Sequence, residues 1–230
     1  MGHPPDTTTQ APASPLGEAG FQSGIVWATP SEAAAIASRL PRDRVTATPH
    51  RVLPEINAVV RRTAIVNAVA DLIGPDIAIE GGFLIVKNPG DEFTVPWHQD
   101  GTNGRGELDP ARSVTLWAAL TDASVDAGAL HVIPGSWRYG YLPCHREDGQ
   151  GGRARGLTTT VPVDAGDPVV VPVAAGQALL MDQRLLHSSP PNTTAVARIG
   201  LNVRFVAPGA LRPRAGQPRH ELTPVAGAGW

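Results

Sequence analysis

Cysteine is almost absent from this chain. Cys144 stands alone among 230 residues, which excludes an internal disulfide and a structural zinc site built on thiolates. A single thiol is compatible with a reducing cytosol, and the cytoplasm is the expected location. No apolar run approaches the 18 residues of a membrane-spanning helix. The first ten residues, MGHPPDTTTQ, lack a basic region and an apolar stretch, so no signal peptide is expected there. A strong charge of either sign is also missing. With 19 basic and 21 acidic residues the net charge is −2, and there is no electrostatic case for nucleic acid or an anionic membrane. No internal repeat and no linker divides the chain.

Glycine and proline are abundant, with 25 and 23 residues. That content suits many short strands joined by turns better than a helix bundle. Residues 1–16, rich in Pro, Thr and Ala, read as a flexible arm. Residues 17–230 read as one domain, a size that supports a substantial core. Phe21 to Trp27 is a short candidate strand. Thr29-Pro30-Ser31-Glu32 has the form of a capping box, with Thr29 at the N-cap, Pro30 at N1 and Glu32 at N3. The helix it opens is expected to run from Pro30 to Leu40. A second helical region spans Pro54 to Ile73 in one or two pieces. Ile56, Val59, Val60, Ile65, Val66, Val69 and Leu72 form its apolar stripe.

From Ile77 onward β-prone runs alternate with turns. The expected strands are Ile77–Glu80, Phe83–Lys87, Thr94–Asp100, Ser113–Leu120, Ala129–Ile133, Thr158–Val163, Val169–Val173, Ala178–Met181, Leu185–His187 and Ala197–Val206. Arg138 to Leu157 is the longest irregular stretch, read equally as a lid or as a loose insertion. So many short strands after a helical part imply a mainly β fold, a jelly roll with the N-terminal helices packed outside it.

One stretch carries chemistry. In Pro96-Trp97-His98-Gln99-Asp100-Gly101, an imidazole and a carboxylate stand two residues apart, and alternate residues of a strand face one way. His187 offers a third ligand from a later apolar strand. Two histidines and one carboxylate, with the remaining positions open, form the ligand set of non-haem Fe(II) oxygenases. Arg198 follows His187 by 11 residues across the Ser188–Thr194 turn. Its apolar neighbours argue against full exposure, although a surface arginine is the simpler alternative. A buried guanidinium would suit the distal carboxylate of a metal-chelating 2-oxo diacid such as 2-oxoglutarate. The other histidines, His3, His50, His131, His145 and His220, have no partner at ligand spacing.

His98-x-Asp100, then Ala127-Gly128-Ala129-Leu130-His131-Val132-Ile133-Pro134-Gly135-Ser136, then Ala175-Gly176-Gln177-Ala178-Leu179-Leu180-Met181, then His187 and Arg198, together resemble the phytanoyl-CoA dioxygenase family of Fe(II)/2-oxoglutarate oxygenases. The resemblance runs from about Gly74 to Pro208. It implies a double-stranded β-helix (jelly roll, cupin-like) with Fe(II) held by His98, Asp100 and His187. It implies 2-oxoglutarate and O2 as co-substrates, with Arg198 as the 2-oxoglutarate anchor. It adds Gln99, Trp117, Lys87 and Ser189 as candidate co-substrate contacts. Core packing for Trp117, a snorkelling surface lysine for Lys87 and turn shaping for Ser189 are the competing readings. Two positions depart from the family: Ala127, where Asn is common, and Trp137, where His is common. In halogenating relatives Ala or Gly replaces the carboxylate, so Asp100 points to hydroxylation or another C–H oxidation of a small-molecule substrate. Bacterial secondary metabolism is the expected setting, with succinate and CO2 as co-products. Two other classes stay open at this point: a non-catalytic metal-binding jelly roll, and a cupin-type hydrolase or isomerase. Arg105, Arg112, Arg138, Arg153 and Arg155 are candidate contacts for an anionic substrate; solvated loop charge is the plainer reading for most of them. No residue pattern sets an oligomeric state.

Overall fold

In the computed structural model the described residues are 12–103, 106–146, 157–216 and 221–230. The capping box forms: Thr29 Oγ1 accepts from the Glu32 amide, and Glu32 Oε2 accepts from the Thr29 amide at 2.8 Å. The helix it starts spans Pro30–Ala37, shorter than expected. Pro41 disfavours helical backbone at Leu40, and the last turn closes through three-residue bonds, Arg39 to Ile36 and Leu40 to Ala37. A four-residue helix, Pro49–Val52, precedes the second helical region. That region divides into Pro54–Val60 and Thr63–Ile73, and Gly74 ends it with a positive φ of 89°.

The rest is antiparallel β-structure. One sheet holds, in order, Phe21–Val26, Gln177–Met181, Ser113–Ala119, Arg198–Val206, Ile77–Lys87 and Thr223–Ala226, with Val45–Ala47 also on Ile77–Lys87. The second sheet runs Val169–Val171, Leu130–Val132, His187–Ser189, Val95–His98. Alternation assigns each face of the first sheet. Leu84, Val86, Leu116, Ala118, Leu180, Leu201, Val203 and Phe205 share one core with Ile56, Val59, Val60, Ile65 and Val69 of the helices. Each such fully buried aliphatic side chain is worth about 1.5–3 kcal/mol. On the other face Trp117, Ala119, Leu179 and Met181 meet Leu130, Val132 and Val171 of the second sheet. The Val95–His98 and His187–Ser189 strands thus face the Arg198–Val206 strand across the interior.

Several boundaries differ from expectation. Gly81-Gly82 does not break a strand; Ile77–Lys87 is continuous. A Cβ at Gly81 would lie 2.5 Å from the Arg204 guanidinium, and one at Gly82 would lie 2.3 Å from the Asn202 carbonyl oxygen. The glycines therefore serve close approach within the sheet. Arg204 opposes Gly81 while Phe205 opposes Ile79, so Glu80 is the bulged residue, and it accepts from Arg204 Nε at 2.6 Å. The strand expected at Thr158–Val163 is only Leu157–Thr159, with Pro162 just beyond it. It pairs with Cys144–Arg146, so the stretch expected to be irregular begins as a hairpin. The second imidazole strand is His187–Ser189; Leu185 instead closes a turn onto the Asp182 carbonyl. Leu211–Pro213, Gly106–Leu108 and Thr223–Ala226 were not expected as strands. Of the N-terminal arm, residues 1–11 lie outside the described residues, while the Pro12 carbonyl accepts from Arg184 Nη1 at 2.7 Å. Residues 147–156 of the long loop, with Arg153 and Arg155, also lie outside them, as does Arg105.

Candidate metal centre

His98 and His187 are directly paired across neighbouring strands. Their side chains fall on the interior face, with ring centroids 4.1 Å apart. Asp100 reaches the same point by a different route from the one expected. The strand ends at His98, and the amides of Asp100 and Gly101 both donate to the Gln183 carbonyl at 3.1 Å. That double anchor turns the Asp100 carboxylate back toward the imidazoles. Asp100 Oδ1 lies 3.7 Å from His98 Nε2, and Oδ2 lies 3.6 Å from His187 Nε2. One ligand atom from each residue lies within 4.8 Å of the others, and all three residues are buried.

The imidazoles are oriented for coordination. His98 Nδ1 bonds the Pro96 carbonyl at 2.7 Å, and His187 Nδ1 bonds the Leu185 carbonyl at 3.0 Å. A carbonyl only accepts, so each Nδ1 carries the hydrogen and each Nε2 presents its lone pair to the centre. Asn202 Nδ2 donates to Asp100 Oδ2 at 2.7 Å. Two imidazole nitrogens and one carboxylate, on one side of a common point, fit a divalent transition metal.

Arg198 lines the same cavity as His98, His187, Trp117, Ser189 and Asn202. It is 1% exposed. Its Nη2 donates to the Gly128 carbonyl, and its guanidinium carbon sits 5.0 Å from the Trp117 ring centroid. Its Nε has no hydrogen-bond partner, and no carboxylate pairs with it among the described residues. Burial pushes its pKa down to about 9. A buried cation without an anion is a site for one. Gly128 has a positive φ of 77°, and a Cβ there would meet the Pro190 carbonyl at 2.5 Å. The glycine of Ala127-Gly128-Ala129-Leu130 therefore lets the loop pack against Pro190 while the Gly128 carbonyl accepts from Arg198.

The family model described as Phytanoyl-CoA dioxygenase (PhyH) matches residues 28–200. This chain belongs to the phytanoyl-CoA dioxygenase family. Among similar proteins is an ectoine dioxygenase of Nocardia farcinica (strain IFM 10152). It is 29% identical over 170 residues, covering 68% of this chain and 56% of that protein. Dioxygenase andF of Emericella variicolor is 28% identical, covering 58% and 44%. The chain spans about half the length of the curated relatives it matches. Among solved structures, the non-heme monooxygenase ThoJ in its apo form is 25% identical with a TM-score of 0.75, covering 92% of this chain and 82% of that one. EvdO2 from Micromonospora carbonacea var. aurantiaca, complexed with 2-oxoglutarate, is 25% identical with a TM-score of 0.68, covering 88% and 91%.

The remaining residues expected at this family member's site divide. Trp117 and Ser189 line the cavity. Gln99 does not face it. Its Nε2 donates to the Gly140 and Arg184 carbonyls at 2.8 and 2.6 Å, and its Oε1 accepts from the Leu142 amide at 2.8 Å. Lying between two ligands that point inward, it points the other way and clamps loop backbone. Lys87 is fully buried rather than snorkelling. Its Nζ donates to the Ser189 carbonyl at 2.8 Å and to the Pro190 carbonyl, which fixes the turn after His187. Burial first, then the neighbouring Arg198, pushes its pKa down to about 6. Trp137 packs away from the cavity, with its Nε1 donating to the Glu18 carbonyl at 3.1 Å. Arg138 pairs with Glu18, and Arg112 donates to the Pro208 carbonyl at 3.0 Å.

Sequence reasoning missed Asn202 and Gly200. A Cβ at Gly200 would lie 2.3 Å from Trp117 Cζ2, so this glycine makes the notch that lets the ring lie beneath Arg198. Both positions were accessible from periodicity: Arg198, Gly200 and Asn202 alternate along one strand and must share a face.

Proposed function

We propose that this protein is an Fe(II)- and 2-oxoglutarate-dependent oxygenase, a double-stranded β-helix spanning residues 17–230 with its N-terminal helices outside. It hydroxylates, or otherwise oxidises at C–H, a small-molecule substrate in a biosynthetic setting. One observation carries the reading: a buried His98–Asp100–His187 cluster shares its cavity with a buried arginine that has no carboxylate partner among the described residues. His98, Asp100 and His187 would hold Fe(II) and leave its other positions open. The bound iron, with 2-oxoglutarate and O2, supplies the oxidising power and yields succinate and CO2.

The chain's own residues position and exclude. Arg198 binds the distal carboxylate of 2-oxoglutarate, with both charges desolvated. Trp117 supports the guanidinium from below, and the Gly128 carbonyl fixes its roll. Ser189 is placed to meet the co-substrate. The Pro96 and Leu185 carbonyls hold the imidazole rings in the ligating tautomer. Gln99 and Lys87 act one step away, on the loops that carry Asp100 and follow His187. Asp100 fills the carboxylate position and favours hydroxylation over halogenation. A hydrolase with the same ligands has no use for Arg198. The test is succinate release coupled to 2-oxoglutarate consumption, with Fe(II) under air. His98→Ala and Asp100→Ala are expected to abolish it, and unchanged turnover in either would refute the assignment.

A further inference from the structure

A metal-ligating carboxylate has two oxygens, and whatever engages the second decides how the first meets the ion. Here Asn202 Nδ2 donates to Asp100 Oδ2 at 2.7 Å. A carboxylate at a metal only accepts, so the amide nitrogen must face it and the amide oxygen must face elsewhere. Asn202 Oδ1 is buried and has no partner among the described residues. Burying a carbonyl without a hydrogen bond is costly. Asn202 pairs across the sheet with Trp117 on one side and Phe83 on the other, and lines the cavity with His98, His187 and Arg198. The contact with Asp100 is the one side-chain hydrogen bond that Asn202 makes among the described residues.

We infer, resting on the iron reading above, that Asn202 is a positioning residue. It occupies Asp100 Oδ2 so that Oδ1 alone meets the metal. A carboxylate bound through both oxygens would take one of the positions that a chelating 2-oxo acid and O2 require. The clamp also sits on the co-substrate anchor's own strand. Arg198 and Asn202 share one face of Arg198–Val206, and Trp117 both opposes Asn202 and lies under Arg198. Metal carboxylate and co-substrate cation are thus registered by one rigid element.

The test uses Asn202→Leu and Asn202→Ala in the full chain, with Ni(II) titrated calorimetrically in the absence of 2-oxoglutarate. Loss of the clamp is expected to weaken Ni(II) binding about 10- to 100-fold. The visible bands of the Co(II)-loaded protein are expected to shift as Asp100 changes its mode of binding. In the metal-free protein Asn202→Leu removes an unpartnered amide oxygen but also strips a donor from the buried Asp100 carboxylate, so the deciding readouts are Ni(II) affinity and the Co(II) bands. A merely structural role predicts Ni(II) affinity and Co(II) bands unchanged, whatever the melting temperature. That outcome in a folded variant overturns the inference; Asn202→Ala serves if the leucine does not fit. If His98→Ala binds Ni(II) as tightly as wild type, the metal-centre reading fails, and the inference with it.

Discussion

Replacing Arg198 by methionine should stabilise the metal-free protein while destroying its response to 2-oxoglutarate. The guanidinium is buried without a counter-ion among the described residues, and its pKa is depressed to about 9 by burial. A depression of that size corresponds to about 5 kcal/mol of unfavourable charge burial. The substitution forfeits the Gly128 hydrogen bond, worth about 1 kcal/mol. It also forfeits the contact with the Trp117 ring, worth about 1 kcal/mol. Methionine is unbranched and fills much of the same channel. The balance after repacking is a gain of about 2 kcal/mol, or roughly 4–8 °C for a chain of this size. Adding 2-oxoglutarate and Ni(II) should reverse the order. At about a hundred times Kd, a ligand stabilises the wild type by roughly 2.7 kcal/mol, and Arg198→Met should not respond to 2-oxoglutarate. Thermal melts of both proteins, with and without the co-substrate, make the comparison. A metal-free Arg198→Met protein that melts several degrees below wild type would refute the claim that this cation is held at a cost to stability.

Gly200→Ala forces a Cβ to 2.3 Å from Trp117 Cζ2; overpacking of this kind costs about 1–3 kcal/mol. Because the displaced ring supports Arg198, 2-oxoglutarate affinity should fall roughly tenfold while Ni(II) affinity holds; calorimetry checks both. Gln99→Ala should lower the melting temperature by releasing three backbone contacts, yet leave 2-oxoglutarate affinity per folded molecule unchanged in the same titration. His50 is buried, and burial above all lowers its pKa to about 4. The unfolded chain then binds more protons between about pH 4 and 6.5, so stability is complete above pH 6.5 and falls as pH drops through that window. The loss amounts to about 3 kcal/mol, and His50→Gln should flatten it in denaturant titrations at pH 7 and pH 4.5.

What was legible in the chain followed from periodicity and from chemistry. Thr29-Pro30-Ser31-Glu32 opened its helix because the side chains that cap it are written locally. His98, Asp100 and His187 lie together and Arg198 lines the same cavity, although Asp100 arrives from the turn after the strand and not from the strand itself. The misreadings share a cause, which is tertiary. Gly81-Gly82 looks like a break unless one knows that Arg204 and the Asn202 backbone press against it. Gln99 looks like a co-substrate contact until the Gly140, Leu142 and Arg184 backbone is found around it. Lys87 shows its burial only when the Ser189–Pro190 turn closes over it. Asn202 lay inside the expected strand Ala197–Val206, but nothing local marks its role, because its partner lies 102 residues away.

The central claim is that the buried triad and Arg198 form one site for a metal and a 2-oxo diacid. A crystal structure of the protein with Ni(II) and 2-oxoglutarate under anaerobic conditions tests it most directly. The account predicts the metal on His98 Nε2, Asp100 Oδ1 and His187 Nε2. It predicts 2-oxoglutarate chelating through its C1 carboxylate and C2 oxygen, with the distal carboxylate against Arg198 and the face of Trp117 still beneath the guanidinium. A metal bound elsewhere, or a co-substrate whose distal carboxylate avoids Arg198, would contradict it.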